Sequence, residues 1–196
     1  SIITSKANEL IPIEKIQYKT SRNRNASYCK RDPMLASMIT IHHTGTSEKL
    51  SPRQINSMHL DNGTLEDPWY MIGYNYVISE SYNGASRKSP KVIEGRPPNY
   101  RGAHAGGNTL PLTSEQIDFL SDKKIYCGNE HRGFDERPAL SQLAENGSIS
   151  GNFASFGVAV IGDYAAKTYK WNGVAYVPSS IHSSTKVKPP TPEMID

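Results

Sequence analysis

The longest apolar stretch in the chain, Phe153 to Gly162, is only the length of a strand. A membrane-spanning helix needs about 18 or more consecutive apolar residues, and no segment here approaches that. The other apolar segments of the 196-residue chain are as short, and turn or cap signals separate them. Such a sequence must build its core from several short elements packed on one another. A chain of this length can bury roughly 70% of its unfolded surface, so a real core needs no metal or disulfide staple. The length suits one domain with an insertion. With 36% hydrophobic and 21% charged residues, the composition excludes wholesale disorder, collagen and coiled coil.

Twenty-two Lys and Arg against 19 Asp and Glu leave a formal charge of +3. That is too mild to point to nucleic acid. Six basic residues cluster at Lys15, Lys19, Arg22, Arg24, Lys30 and Arg31, without an aromatic ladder, and read as a solvated segment. The balance also suits an acidic polymer as partner. Cys29 and Cys127 leave one disulfide and two free thiols both open; bonded, they would be worth about 4–5 kcal/mol. Ser1 stands where an initiator Met is expected, which reads as a mature or trimmed chain, so the lack of a leader does not argue for the cytoplasm.

Residues 1–33 read as a polar N-terminal arm and 34–196 as the main domain. Met38 to His43 alternates as a strand, with Ile39 and Ile41 expected on the core face and Thr40 and His42 opposite. Ser51, Pro52 and Gln54 form a capping box that opens a helix ended by Asp61-Asn62-Gly63. Ile72 to Ser79 is a second strand, with Tyr74, Tyr76 and Ile78 on one face. Asn83-Gly84 turns it into a return strand over Lys91 to Glu94. Residues 109–152 read as an inserted region, with a helix capped by Thr113 and Gln116 and another expected from Arg137 to Glu145. Phe156 to Gly162 is again a strand, and Asn172-Gly173 marks a hairpin. Beyond a Ser/Pro/Lys-rich linker, Thr191-Pro192-Glu193 has the form of a helix start.

Of the six histidines, His42 and His43 close a strand, where side chains meet clefts. Neighbours on a strand alternate, so at most one faces a site, and His42 is the better candidate. On spacing alone, a metal role and a structural role are equally open for it. Tyr74, on the next strand, reads as a packing residue whose hydroxyl is also suited to an oxyanion.

Five blocks occur in a set order: Ile39-Thr40-Ile41-His42-His43-Thr44, Ile72-Gly73-Tyr74-Asn75-Tyr76, Glu94-Gly95-Arg96, Gly102-Ala103-His104-Ala105-Gly106, and Gly157 to Tyr164. Together they resemble the amidase-2 family, which comprises zinc-dependent N-acetylmuramoyl-L-alanine amidases and peptidoglycan recognition proteins. The resemblance implies an α/β fold, a central mixed β-sheet flanked by helices, with zinc at the floor of a groove. It implies His42 as a zinc ligand, Tyr74 as the residue assisting catalysis, and His104, Arg96 and Asn108 as substrate contacts. His59 is read as packing. The implied reaction is zinc-assisted hydrolysis of the amide between N-acetylmuramic acid and L-alanine in peptidoglycan or a muropeptide, outside the cytoplasm.

The family places its remaining zinc ligands after the last block, where this sequence offers one histidine, His182, and no cysteine. Three readings follow. The chain lacks a C-terminal part, which a separate fragment of the same protein would supply; or another set, Cys127, His131 and His182, completes the site; or the chain is a metal-free module that binds peptidoglycan without cutting it. The inserted region leaves the chain beside the groove and would form one of its walls.

Overall fold

The computed structural model describes residues 11–23, 25–26, 28–31, 33, 36–62, 69–82, 85–105, 109–140, 144–145, 148–163, 169–171 and 176–178. In chain order these form β1 (Ile13–Lys15), β2 (Tyr28–Cys29), β3 (Met38–His43), α1 (Pro52–Asn62), β4 (Tyr76–Tyr82), β5 (Ala85–Glu94), β6 (Thr109–Pro111), α2 (Ser114–Ser121), β7 (Lys124–Asn129), β8 (Gly133–Pro138), β9 (Ala144–Glu145), β10 (Ser148–Ser150), α3 (Gly151–Ala154), β11 (Ser155–Val160), β12 (Tyr169–Trp171) and β13 (Tyr176–Pro178). The expected turns Asn83-Gly84 and Asn172-Gly173, and the helix start at Thr191, lie outside the described residues.

Both longer helices start where the capping residues place them. The Ser51 N–H donates to Gln54 Oε1 at 2.8 Å, and Ser51 Oγ accepts from the Gln54 N–H at 3.3 Å. Thr113 and Gln116 repeat the exchange at 2.9 and 3.3 Å. Each box satisfies donors that the first helical turn leaves without partners.

The main sheet is mixed and runs β1-β5-β4-β11-β3. β11 is parallel to both β3 and β4, β4 is antiparallel to β5, and β1 is parallel to β5. The protein is thus α/β with a central mixed sheet. Residues 13–15, expected in a loose arm, instead add a strand to this sheet.

Register decides which face of the sheet is covered. His42, Ala159, Val77 and Ile93 stand abreast across four strands. Ala159, Val77 and Ile93 are fully buried, and Val77 packs with Ile55 of α1, Tyr70 and Ile72. The reverse face carries Ile41, Val158 and Tyr76 abreast. Ile39 and Ile41 are 67% and 75% exposed, so the expectation that they face the core is overturned. Alternation separates the two faces of a strand but does not say which one α1 covers.

The inserted region has a core of its own. Leu120, Ile125, Cys127, Ile149 and Phe153 pack together beneath two small sheets, β6-β10-β9 and β2-β7-β8. The helix expected from Arg137 to Glu145 is displaced at both ends: Ala139 and Leu140 are helical, residues 141–143 lie outside the described residues, and the flanking residues are strands. Arg137 and Pro138 close β8, which pairs antiparallel with β7, and Ala144–Glu145 is β9. The hairpin wins because Asn129 Oδ1 accepts the N–H groups of His131 and Arg132 at 2.9 and 3.0 Å. Gly133 then takes φ of +84°, which a side chain would resist.

Cys29 and Cys127 face each other across β2 and β7 and form a disulfide. This decides the question the sequence left open, and it removes the Cys127 thiolate from any metal site.

Candidate functional site

His42 projects from β3 toward the covered face and is half-buried. Its Nε2 lies 3.0 Å from His104 Nδ1, with the rings edge to face at 5.1 Å. Such a contact needs one nitrogen to donate and the other to accept. Burial pushes His104 down to about 4, helped by the nearby His42 charge. Burial and His43 push His42 down as well. Both rings are therefore neutral at pH 7, and a neutral ring keeps a nitrogen lone pair for a proton or a ligand.

The backbone around His104 is tied from the inserted region. Asn152 Oδ1 accepts the N–H groups of His104 and Ala105 at 2.7 and 2.8 Å. The Asn152 main-chain oxygen accepts the Gly102 N–H at 3.2 Å and Arg31 Nη1 at 3.0 Å. The ring itself lies against two glycines. A Cβ at Gly102 or Gly157 would come within 2.3 or 2.5 Å of it.

Tyr74 precedes β4, and its ring centroid stands 5.6 Å from that of His42 and 5.2 Å from that of His59. Burial raises its pKa, so the phenol holds its proton at neutral pH. Asn75, fully buried, seats this corner: its Oδ1 accepts the Gly157 N–H and its Nδ2 donates to the Arg96 oxygen, each at 3.1 Å. His59 packs edge to face on Trp69 at 5.0 Å. Burial first, and the Arg96 charge second, hold it down at about 4.

Arg96, expected as a substrate contact, lies in a buried position where it bonds backbone. It is 2% exposed, and it donates to the backbone oxygens of Ile72, Met71 and Arg101 at 3.1, 3.1 and 2.8 Å. With those donors engaged and no surface left, it ties loops together beneath the site. Asn108 and His182 lie outside the described residues. His131 is exposed on the β7–β8 turn. Thr44 braces the strand end: its N–H donates to the Val160 oxygen at 3.1 Å and its Oγ1 accepts the Gly162 N–H at 3.0 Å.

Asn152, Asn75 and Arg31 escaped the sequence reading. Arg31 is 3% exposed and donates to the oxygens of Phe153 and Ser155 at 2.7 and 2.8 Å, and so pins the start of β11. Its place in a basic cluster hid it. The one signal for Asn152 was its position in a short turn, Ser150-Gly151-Asn152, just ahead of a strand.

A catalytic zinc takes about three protein ligands and keeps one position open. No three His, Cys, Asp or Glu side chains gather among the described residues. His42 and His104 form a pair joined to each other. The described residues therefore do not make a zinc site, and no chemistry is assigned through one.

Fold and site together define an α/β protein with a neutral imidazole pair and a phenol at the end of a parallel strand pair. No protein-family profile matches the sequence, and no curated protein matches it. Among solved structures, the chain is similar to the N-acetylmuramoyl-L-alanine amidase LysC from Clostridium intestinale URNW, with 21% identity and a TM-score of 0.40. The match covers 79% of this chain and 62% of that one, so the chain spans less than two thirds of that protein's length.

Proposed function

We propose that this chain is a peptidoglycan hydrolase that cleaves the amide between N-acetylmuramic acid and L-alanine. The observation that supports the reading is the meeting of His42, Tyr74 and His104. They are three of the residues that the ordered sequence blocks single out, and they come from three separate segments. In the reaction, water adds to the lactyl carbonyl, the C–N bond breaks, and a carboxylate and the free amine of L-alanine result. The Tyr74 hydroxyl would donate to the charge that develops on the carbonyl oxygen. His42, neutral and half-buried, offers the lone pair. His104 orients it. The resemblance also implies zinc, for which His42 is the candidate ligand among the described residues. The substrate puts the site of action outside the cytoplasm, and no helix among the described residues is long and apolar enough to cross a membrane.

The second reading is a module that binds peptidoglycan without cutting it. It draws on His42 standing without a gathered set of further ligands among the described residues.

The test is the release of new α-amino groups from a muropeptide, before and after chelation and with zinc restored. Intact mass and zinc content are measured on the same sample. Zinc-dependent release supports the hydrolase, and a second polypeptide in that sample would supply the remaining ligands. Binding without release supports the module. Neither binding nor release overturns both.

A further inference from the structure

We propose that Asn152 is a positioning residue that holds His104 against His42, and that through it the inserted region sets the geometry of the site. The inference rests on the site read above. His104 has no regular element to hold it: it lies in the segment between β5 and β6. Two consecutive N–H groups of that segment, those of His104 and Ala105, converge on one oxygen, Asn152 Oδ1, at 2.7 and 2.8 Å. Asn152 in turn is placed from both sides. Its own N–H donates to Ser150 Oγ at 3.3 Å, at the start of α3. Its main-chain oxygen takes Arg31 and Gly102. A side-chain substitution at 152 therefore removes the two bonds to the His104 segment and leaves the main-chain bonds in place. Two bonds to one carbonyl oxygen fix both the position and the rotation of the backbone that carries the imidazole. The ring lies close against Gly157 and Gly102, where an added Cβ would come within 2.5 and 2.3 Å of it.

The test compares Asn152→Ala with Asn152→Asp in the full chain. Asp keeps an acceptor oxygen for both N–H groups; Ala keeps none. The first readout is the nuclear Overhauser contact between the His42 and His104 rings, which needs no substrate. The second is the split of kcat and KM on a muropeptide. Asn152→Ala should lose the ring contact and lower kcat about 10–100-fold with KM little changed, and Asn152→Asp should restore both. If Asn152→Ala does not fold, Asn152→Gln, which shifts the same oxygen by one methylene, carries the same expectation. A ring contact that persists in a folded Asn152→Ala or Asn152→Gln overturns the proposal. A wild-type protein with the ring contact but no activity overturns the hydrolase reading instead, and the ring contact still decides the role of Asn152.

Discussion

The backbone N–H of Gly73 points at His59 Nδ1 from 3.0 Å, so that nitrogen must carry a lone pair. Protonating the ring would set two donors head to head, in a place where burial and the Arg96 charge already oppose a cation. His59 was expected only to pack. It does pack, on Trp69 and Tyr74, and it also holds the residue that precedes Tyr74.

A pH dependence of stability follows. His59 titrates near 6.5 when unfolded and at about 4 when folded. Between these values the unfolded chain binds the extra proton. Its stabilising contribution is therefore full above about pH 6.5 and is lost as pH falls toward 4, at up to about 1.4 kcal/mol per pH unit. His42 and His104 tilt the same way. His59→Asn, which keeps an acceptor for Gly73, should flatten the slope without removing it. Urea unfolding across the interval measures it; equal slopes would refute the assignment.

Gly157→Ala should disturb the imidazole pair more than the fold. Its Cβ would lie 2.5 Å from the His104 ring, so the ring must leave His42 or the strand must shift. Overpacking of this kind costs about 1–3 kcal/mol. Thermal unfolding reports the cost, and loss of the ring-to-ring contact reports the displacement. An unchanged contact would mean that β11 yields instead of the ring.

Arg96→Lys separates a structural arginine from one that binds substrate. Lysine cannot reproduce the planar fork that meets three backbone oxygens, so buried acceptors lose their partners. Stability should fall by about 2–4 kcal/mol in chemical denaturation. A variant of full stability whose KM alone rises would instead return Arg96 to the substrate.

The disulfide joins residues 98 apart in sequence. On the chain-entropy account, a Cys29→Ser, Cys127→Ser double variant should be about 4–5 kcal/mol less stable than the oxidised protein. The shift in urea midpoint between the two, at equal slope, is the measurement. No shift would mean that β2 and β7 hold together without the bond.

What the sequence made legible was local. The two capping boxes name their helices because donor and acceptor lie three residues apart. The β3 alternation isolates His42 because a pleat needs no partner to be read. What it hid was decided at long range. Ile39 and Ile41 carry a core pattern, yet the face they share is the one α1 leaves uncovered. Arg137 and Pro138 sit in β8 because β7 pairs with them, where their own sequence suggested a helix. Arg96 stands in a recognisable block, but its burial depends on three backbone oxygens from other segments. His104 was found by resemblance, whereas Asn152, which holds it, came from a region whose sequence announced only an insertion.

Among the described residues, β3, the strand that carries His42, lies at the end of the main sheet with β11 as its one neighbour. That neighbour is synthesised more than a hundred residues later, and it enters the sheet between β3 and β4. Closing so long a loop must precede any reward from the pairing. The imidazole pair is thus a late product of folding. A growing chain that has made His42, Tyr74 and His104 but not yet Ser155 holds all three side chains without the strand that brings them together, and the three meet only once the sheet is completed from its middle.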